Sequence, residues 1–381
     1  MKDVIYLDNA STTPLDGRVL EAIMSYLTTY YGNANSVHSV GRNAVKGLDE
    51  ARETVAEIIG ADFNEVYFTS GGTEGNNLAL RGAFFARGDK NKLITSSIEH
   101  PSVMETAKSL QALGANVIKV SPNSSGILSV SDYLKEGIND AYLVCMMMAN
   151  NEIGTIQPVK ELATACKGSG ALTFTDAVQA MGAIDICVKD LGVDIMTFSA
   201  HKFGGPKGVG AVYIKNGSRI APQITGGHQE RLKRGGTSNV AGAVGLATAL
   251  KLSRIDLAKK NEHLKGLRDY FVKGVVSETG IASVNGDSNL KLSGNANITF
   301  KGVDGESLLY ALDLHGVCAS LGSACSSGTI EPSYVLKEIG LSDEDAKSTV
   351  RFTLSYNNTY EEIDRAIKII KDCVLKLKKQ A

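Results

Sequence analysis

A serine, a histidine and a lysine lie within a few residues at the end of one short apolar run, a spacing that suits covalent chemistry on a carbonyl. Residues 194–199 predict a short buried strand ending in Ser199, with His201 and Lys202 directly after it. Gly204, Gly205 and Pro206 then turn the chain into a second apolar run over 209–214. An amine fixed at a strand end can form a Schiff base, and burial lowers its pKa enough to make it nucleophilic. A lone lysine in a turn is most often a solvated surface group. The rest of the chain must therefore supply its partners.

Candidate partners follow other strand ends. A strand over 65–69 runs into Ser70, Gly71, Gly72, Thr73 and Glu74, then a helix to about residue 85. The glycines allow close approach, the free N–H groups point at an anion, and Thr73 adds a hydroxyl. The motif is neither a Walker loop nor a GxGxxG fingerprint, and a plain tight turn would look similar. A strand over 92–95 leads to Glu99, His100, Pro101 and Ser102; proline at a first helical position leaves His100 at the mouth of the turn. A buried strand over 141–148 ends near Asn150 and Asn151, and a strand over 172–176 ends in Asp176, with Gln179 one turn beyond. Strands alternating with helices argue a parallel sheet covered on both faces. Such sheets bind ligands outside the carboxyl ends of their strands. Thr73, His100, Asn151, Asp176, Ser199, His201 and Lys202 all follow strand ends, so the pattern converges them on one edge.

Other elements frame that edge. Helices are expected over 18–30, 42–59 and 159–167, with a strand over 116–120. Residues 226–239, basic at Arg231, Lys233 and Arg234, read as an exposed, mobile connection. A long helix from 241 towards 275 breaks near 254–256, where the domain changes. Beyond Gly280 the expected elements are strand 296–300, helix 305–314, strand 317–319, loop 320–331, helix 333–339, strand 350–354 and a helix from 359. Cys325 sits in that loop among small polar neighbours, with no apolar flank to bury it. An exposed free thiol is a liability unless it is used.

Composition limits the alternatives. With 43% apolar and 21% charged residues, the 381-residue chain has globular composition and length for two domains. A formal net charge of -1 offers no general attraction for nucleic acid or membrane. The first residues lack a signal-like apolar stretch, so the cytoplasm is the expected compartment. The six cysteines show no CxxC spacing and no Cys/His cluster, which suggests reduced thiols, not zinc or disulfides. Cys145, Cys166, Cys187 and Cys373 read as small buried hydrophobes.

Taken in order, the motifs resemble the cysteine desulfurases of the class V aminotransferase group, pyridoxal-phosphate (PLP) enzymes of fold type I. The resemblance spans essentially the whole chain. It rests on residues 6–9, 69–74, 99–102, 150–155, 175–179, 199–202 and 205–208, and on Cys325 with residues 331–336. The last pair is similar to the branch serving iron–sulfur assembly and nitrogen fixation. The implied fold is α/β: a large domain, 13–255, with a mainly parallel seven-stranded sheet between helices, and a smaller α/β domain from 1–12 and 256–381.

The resemblance also implies roles. Lys202 would hold PLP through its amine and shuttle protons. Asp176 would pair with the ring nitrogen, Gln179 with the ring oxygen, and His100 would stack on the ring and act as acid or base. Gly72, Thr73, Ser199 and His201 would bind the phosphate, joined by Thr237 from the partner of a homodimer. Asn151, also beside the cofactor, and Arg351 would hold the substrate carboxylate, which a guanidinium can bind through both oxygens. L-cysteine would yield L-alanine and a persulfide on Cys325. The sulfur would pass to an acceptor protein such as an iron–sulfur scaffold or a tRNA-thiolation enzyme. No resident metal is implied, although Cys325 is a candidate ligand for a transferred iron–sulfur cluster. Gly72 and Gly235 replace residues that are commonly alanine and serine, and the short C-terminus puts long-tail scaffold docking in doubt. The competing readings are a selenocysteine lyase, another class V aminotransferase, or a non-catalytic sulfur relay. Lys202→Ala is expected to abolish the borohydride-reducible link to the cofactor; peptide mass mapping after reduction checks this, and a link persisting in the variant would contradict it.

Overall fold

The computed structural model describes residues 4–321 and 331–378. Its strands in chain order begin with β1 (Ile5–Tyr6), β2 (Val66–Thr69), β3 (Lys92–Ser96) and β4 (Asn116–Val120). They continue with β5 (Ala141–Cys145), β6 (Leu172–Asp176), β7 (Ile195–Ser199) and β8 (Gly210–Ile214). The last four are β9 (Ala282–Asn285), β10 (Asn295–Phe300), β11 (Val317–Cys318) and β12 (Thr349–Thr353).

Seven strands form one sheet in the order β2-β8-β7-β6-β5-β3-β4. Pairings from β7 to β4 are parallel, whereas β8 runs antiparallel to both β7 and β2. Parallel neighbours need a long crossover. The short connection through Gly204, at φ +84°, instead returns the chain directly beside β7. Alternate side chains enter opposite cores, as the strand pleat requires. Tyr67, Leu93, Leu143, Ile195 and Val212 join one core with Leu80, Phe84 and Leu110. Phe68, Ile94, Val144, Met196 and Ala211 join another with Leu48, Val55, Leu162 and Leu246. Helices Gly72–Ala86 and Pro101–Ala112 thus cover one face, and Ser39–Ile59, Val159–Ala165 and Val240–Arg254 cover the other. At Gly75 a Cβ would lie 2.5 Å from Thr197 Cγ2 and 2.8 Å from Val212 Cγ2. This close approach seats helix Gly72–Ala86 directly on β7 and β8.

A second, antiparallel sheet has the order β12-β10-β9. Leu267 and Phe271 of helix Leu257–Thr279 and Ile363 and Ile370 of helix Tyr360–Lys378 pack against Ile298, Phe300 and Phe352. The Phe271 and Phe352 rings meet edge-on at 5.2 Å. Ile5 and Leu7 enter this core too, and β1 pairs in parallel with β11.

Several local expectations are corrected. The strand expected over 141–148 ends at Cys145, although Met146, Met147 and Met148 stay buried. Glu65 lies in a 3-10 turn before β2, held by the reciprocal cap between Asp62 and Glu65. Helices Val130–Lys135 and Asp343–Lys347 and the half-exposed edge strand β9 carry too little periodicity to be read in advance. The long helix does break, into Val240–Arg254 and Leu257–Thr279, with Asp256 at φ +52° between them. Cys145, Cys166 and Cys373 are buried, but Cys187 is only partly so. The connection over 226–239 is not simply exposed, because Glu230 is buried within it. Gly75→Val should lower stability by about 1–3 kcal/mol through overpacking, read as a fall in thermal midpoint. The same change at Gly88, with no atom within 4 Å of its Cβ position, should cost far less.

Candidate active site

The carboxyl ends of the central strands open onto a cavity of about 480 Å³. Gly72, Thr73, His100, Asn151, Asp176, Gln179, Ser199, His201, Lys202 and Arg351 all line it. Lys202 closes a 3-10 turn, Ala200–Lys202, immediately after β7. Its Nζ donates to the carbonyls of Ala10 and Ser11 at 2.5 and 2.8 Å. Burial, helped by the charge of Arg351, lowers its pKa to about 8. Burial, with the charge of Lys202, also lowers His201 to about 4. Gln179 Nε2 donates to the Ala10 carbonyl at 2.9 Å. A larger cleft of about 610 Å³ lies across the 9–14 strap and shares Ala10, Gln179 and Lys202. It lacks Asp176, His100 and the glycine turn, so the smaller cavity is the chemical candidate.

Asp176 ends β6 and is 5% exposed. Its Oδ1 accepts from Val178 N at 2.9 Å and its Oδ2 from Asn76 Nδ2 at 2.6 Å. Asn76 also donates to Ser102 Oγ at 2.8 Å, and that hydroxyl lies 2.8 Å from His100 Nδ1. Because Ser102 N–H also donates to His100 Nδ1, that nitrogen serves as an acceptor. Burial pushes the His100 pKa down, which favours the same neutral ring. Asn76 and Ser102 thus join the histidine to the carboxylate. Asn76 was missed in the sequence; its position three residues beyond Thr73, on the same helical face, was the available signal. Helix Gly72–Ala86 starts after Gly71, which has no side chain to cap its first N–H groups. Those groups remain suited to an anion. Glu74, in the same turn, is directed to Ser70 N and Arg234.

Arg351, on β12, closes the opposite wall. Its Nη1 donates to Asn151 O at 2.9 Å, and its Nη2 donates to Asp8 Oδ1 at 2.9 Å and Ser11 Oγ at 2.8 Å. Its Nε is buried without a partner. Neighbouring Glu152 is buried, and its Oε2 accepts from Ser333 Oγ at 2.5 Å. Tyr334 lines the cavity and donates to the Glu99 carbonyl. Both residues fall within the motif stretches 150–155 and 331–336, which do not by themselves assign them a role. Of the expected site residues, Thr237 is exposed on the 226–239 connection and does not line this cavity, and Cys325 lies outside the described residues.

The sequence pattern described as Aminotransferase class-V matches residues 5–366. The chain belongs to the class-V aminotransferase family. Within it, the chain is 44% identical over 379 residues to a protein of Dictyoglomus turgidum named cysteine desulfurase IscS, spanning 99% of this chain and 96% of that one. It is 42% identical to a protein of the same name from Methanosarcina thermophila, over 98% and 93% of the two chains. A solved structure titled NifS-like protein superposes with a TM-score of 0.92 at 36% identity, covering 98% of this chain and all of that one. Another, titled SspA in complex with cysteine, superposes at 0.81 with 33% identity, over 93% and 99%.

This family implies pyridoxal phosphate, and the cavity has a matching donor set. The uncapped helix start suits a phosphate, the Asp176 carboxylate a ring nitrogen, and the Lys202 amine an aldehyde. Gly72 has no Cβ; one placed there would meet Val178 Cγ2 at 2.7 Å. Since the Lys202 pKa is lowered to about 8, its neutral amine becomes abundant as pH rises through 8. Acylation of Lys202 in cofactor-free protein should follow that midpoint, while solvent lysines follow about 10.4. Mass mapping at limiting reagent measures it; a Lys202 profile matching the other lysines would contradict the burial argument.

Proposed function

We propose that this chain is a cysteine desulfurase that converts L-cysteine to L-alanine and leaves the sulfur as a persulfide on Cys325. The observation that carries the reading is the convergence of Lys202, Asp176, the uncapped helix start and Arg351 on one cavity. Pyridoxal phosphate, when bound, supplies an electron sink for the substrate α-carbon. Gly72, Thr73, Ser199 and His201 would hold its phosphate, with Thr237 contributed by the second subunit of a homodimer. Asp176 would hold the ring nitrogen, Gln179 the ring oxygen, and neutral His100 would cover the ring face.

Asn151 and Arg351 bind the substrate carboxylate in this reading. Lys202 carries the α-proton, a role that its pKa of about 8 suits near neutral pH. The Cys325 thiolate attacks the substrate sulfur. That S–S bond forms as the carbon–sulfur bond breaks; the carbon is reduced to the methyl of alanine and the sulfur pair is oxidised to a persulfide. Residues 13–255 would form the cofactor domain, and 1–12 with 256–381 the smaller domain. A cytoplasmic setting and an acceptor protein, such as an iron–sulfur scaffold or a tRNA-thiolation enzyme, complete the proposal.

Incubation of the PLP-loaded protein with L-cysteine should give equal early yields of alanine and Cys325 persulfide by mass. Cys325→Ala should keep the bound cofactor's visible absorbance but lose persulfide formation. Normal sulfide release by that variant would remove Cys325 from the reaction.

A further inference from the structure

The connection over 226–239 is fastened to the open edge of the main sheet. β2 has a strand neighbour on one side only, and an edge strand leaves backbone groups without ladder partners. Side chains meet them here. Arg52 Nη1 and Arg231 Nη2 donate to the Val66 carbonyl at 2.7 and 2.6 Å. Phe68 N donates to Glu230 Oε2 at 3.0 Å. Arg52 and Glu230 pair through two contacts of 2.7 and 2.9 Å, each side chain 4% exposed.

The backbone of the connection needs such a hold. Glu230, Arg231 and Leu232 have φ of 45°, 51° and 67°. Side chains other than glycine avoid this left-handed region, and it persists where surrounding contacts enforce it. Further along, Arg234 Nε donates to Glu74 Oε1 at 3.0 Å, and Glu74 Oε2 accepts from Ser70 N at 2.9 Å. The connection is therefore tied to the strand edge and to the anion turn. Thr237 follows within three residues of Arg234 and is exposed.

We propose that Arg52 and Glu230 are a positioning pair, holding residues 230–232 in this left-handed course and thereby setting Thr237, further along the same connection, at the phosphate end of a second copy's cavity. The inference rests on the reading of Thr237 given above. The pair lies outside the cavity lining and acts through the backbone it fixes. A buried ion pair is weak evidence for stability when compared with apolar packing of the same volume. Its directional geometry suits positioning: one carboxylate receives both the Arg52 fork and Phe68 N.

The test uses PLP-loaded enzyme and two readouts other than activity. One is the release rate of bound PLP on dilution, with a phosphatase trap for the free cofactor. The other is hydrogen exchange of amides 226–239. Glu230→Gln and Thr237→Val are each expected to speed release about tenfold, the scale of one lost charged hydrogen bond. The double variant should release no faster than either single variant. Exchange over 226–239 should accelerate in Glu230→Gln and stay unchanged in Thr237→Val. If Glu230→Gln does not fold, Arg52→Lys, which keeps the charge but loses the fork, carries the same comparison. Wild-type release in Glu230→Gln (or in Arg52→Lys where that stands in for it), or single effects that multiply in the double variant, would overturn the positioning role. Unchanged release in Thr237→Val alone would instead overturn the reading of Thr237 beneath it.

Discussion

The position of the Lys202 amine depends on two backbone carbonyls far away in sequence. Ala10 and Ser11 present them across the end of β7. A backbone acceptor stays in place only if its strap does, and this strap is tied at both ends. Thr13 N and Oγ1 both donate to the His201 carbonyl at 2.9 Å. At the other end, Ala10 N donates to Thr353 Oγ1 and Asn9 Nδ2 to the Thr353 carbonyl, each at 2.8 Å. Thr353 belongs to β12, so both sheets fix the amine's surroundings. The site is thus a consequence of how the two cores meet.

That meeting is built into the alternation of the smaller sheet. Asn295 lies opposite Thr353 and Asn297 opposite Arg351 across the β10–β12 ladder. These four residues share one face, while Ala296, Ile298, Val350 and Phe352 enter the apolar core. All four are 5% exposed or less, so the polar face is buried and its groups need partners. The backbone bend at residues 150–154 meets Asn295, Asn297 and Arg351, although Asn295 Oδ1 and Arg351 Nε have no partner. Asn295 and Asn297 donate to the Glu152 carbonyl at 3.1 and 3.4 Å, and Arg351 donates to the Asn151 carbonyl. Gly154 sits at φ +74° against Asn295, where a Cβ would approach the side chain to 2.6 Å. Close backbone approach and the pairing of Asn295, Asn297 and Arg351 with backbone carbonyls therefore come from one junction.

Much of this was legible because active-site chemistry interrupts regular patterning. Lys202, Asp176, His100 and the turn at Gly71 and Gly72 are polar or conformationally special breaks directly after apolar strands. Element ends were less legible: β12 begins at Thr349, one residue before the expected start, because backbone pairing and not hydropathy sets its bounds. The 226–239 connection was misjudged for a different reason. Its basic residues suggest solvent, but Glu230 is buried by Arg52, 178 positions away in sequence. Local composition carries no sign of such a partner. The antiparallel course of β8 follows from a short turn, but its place between β7 and β2 is a tertiary result. Asn76 was hidden because it looks like an ordinary polar residue of a helix. Its role as a bridge from His100 to Asp176 exists only once two strand ends are adjacent.

Burial then sorts the charges around the cavity. Glu99 is fully buried, its Oε1 accepting from Ser96 Oγ at 2.7 Å and Met147 N at 2.8 Å, while its Oε2 has no partner. Desolvation raises its pKa to about 8, so the acid is mostly neutral at pH 7. Burial likewise raises Glu152, although Ser333 and Arg351 oppose that shift. The same desolvation moves His100, His201 and Lys202 downward, towards their neutral forms. Desolvation therefore pushes these acids and bases alike towards their uncharged forms. Asp176 has Asn76 and Val178 N; Arg351 has Asp8, Ser11 and Asn151. The Asp176 carboxyl thus stands on one wall and the Arg351 guanidinium on the other, with His100, His201 and the Lys202 amine lining the same cavity. Such a cavity can orient a charged ligand from both ends while leaving an amine free to exchange a proton, a separation that neither wall could create alone.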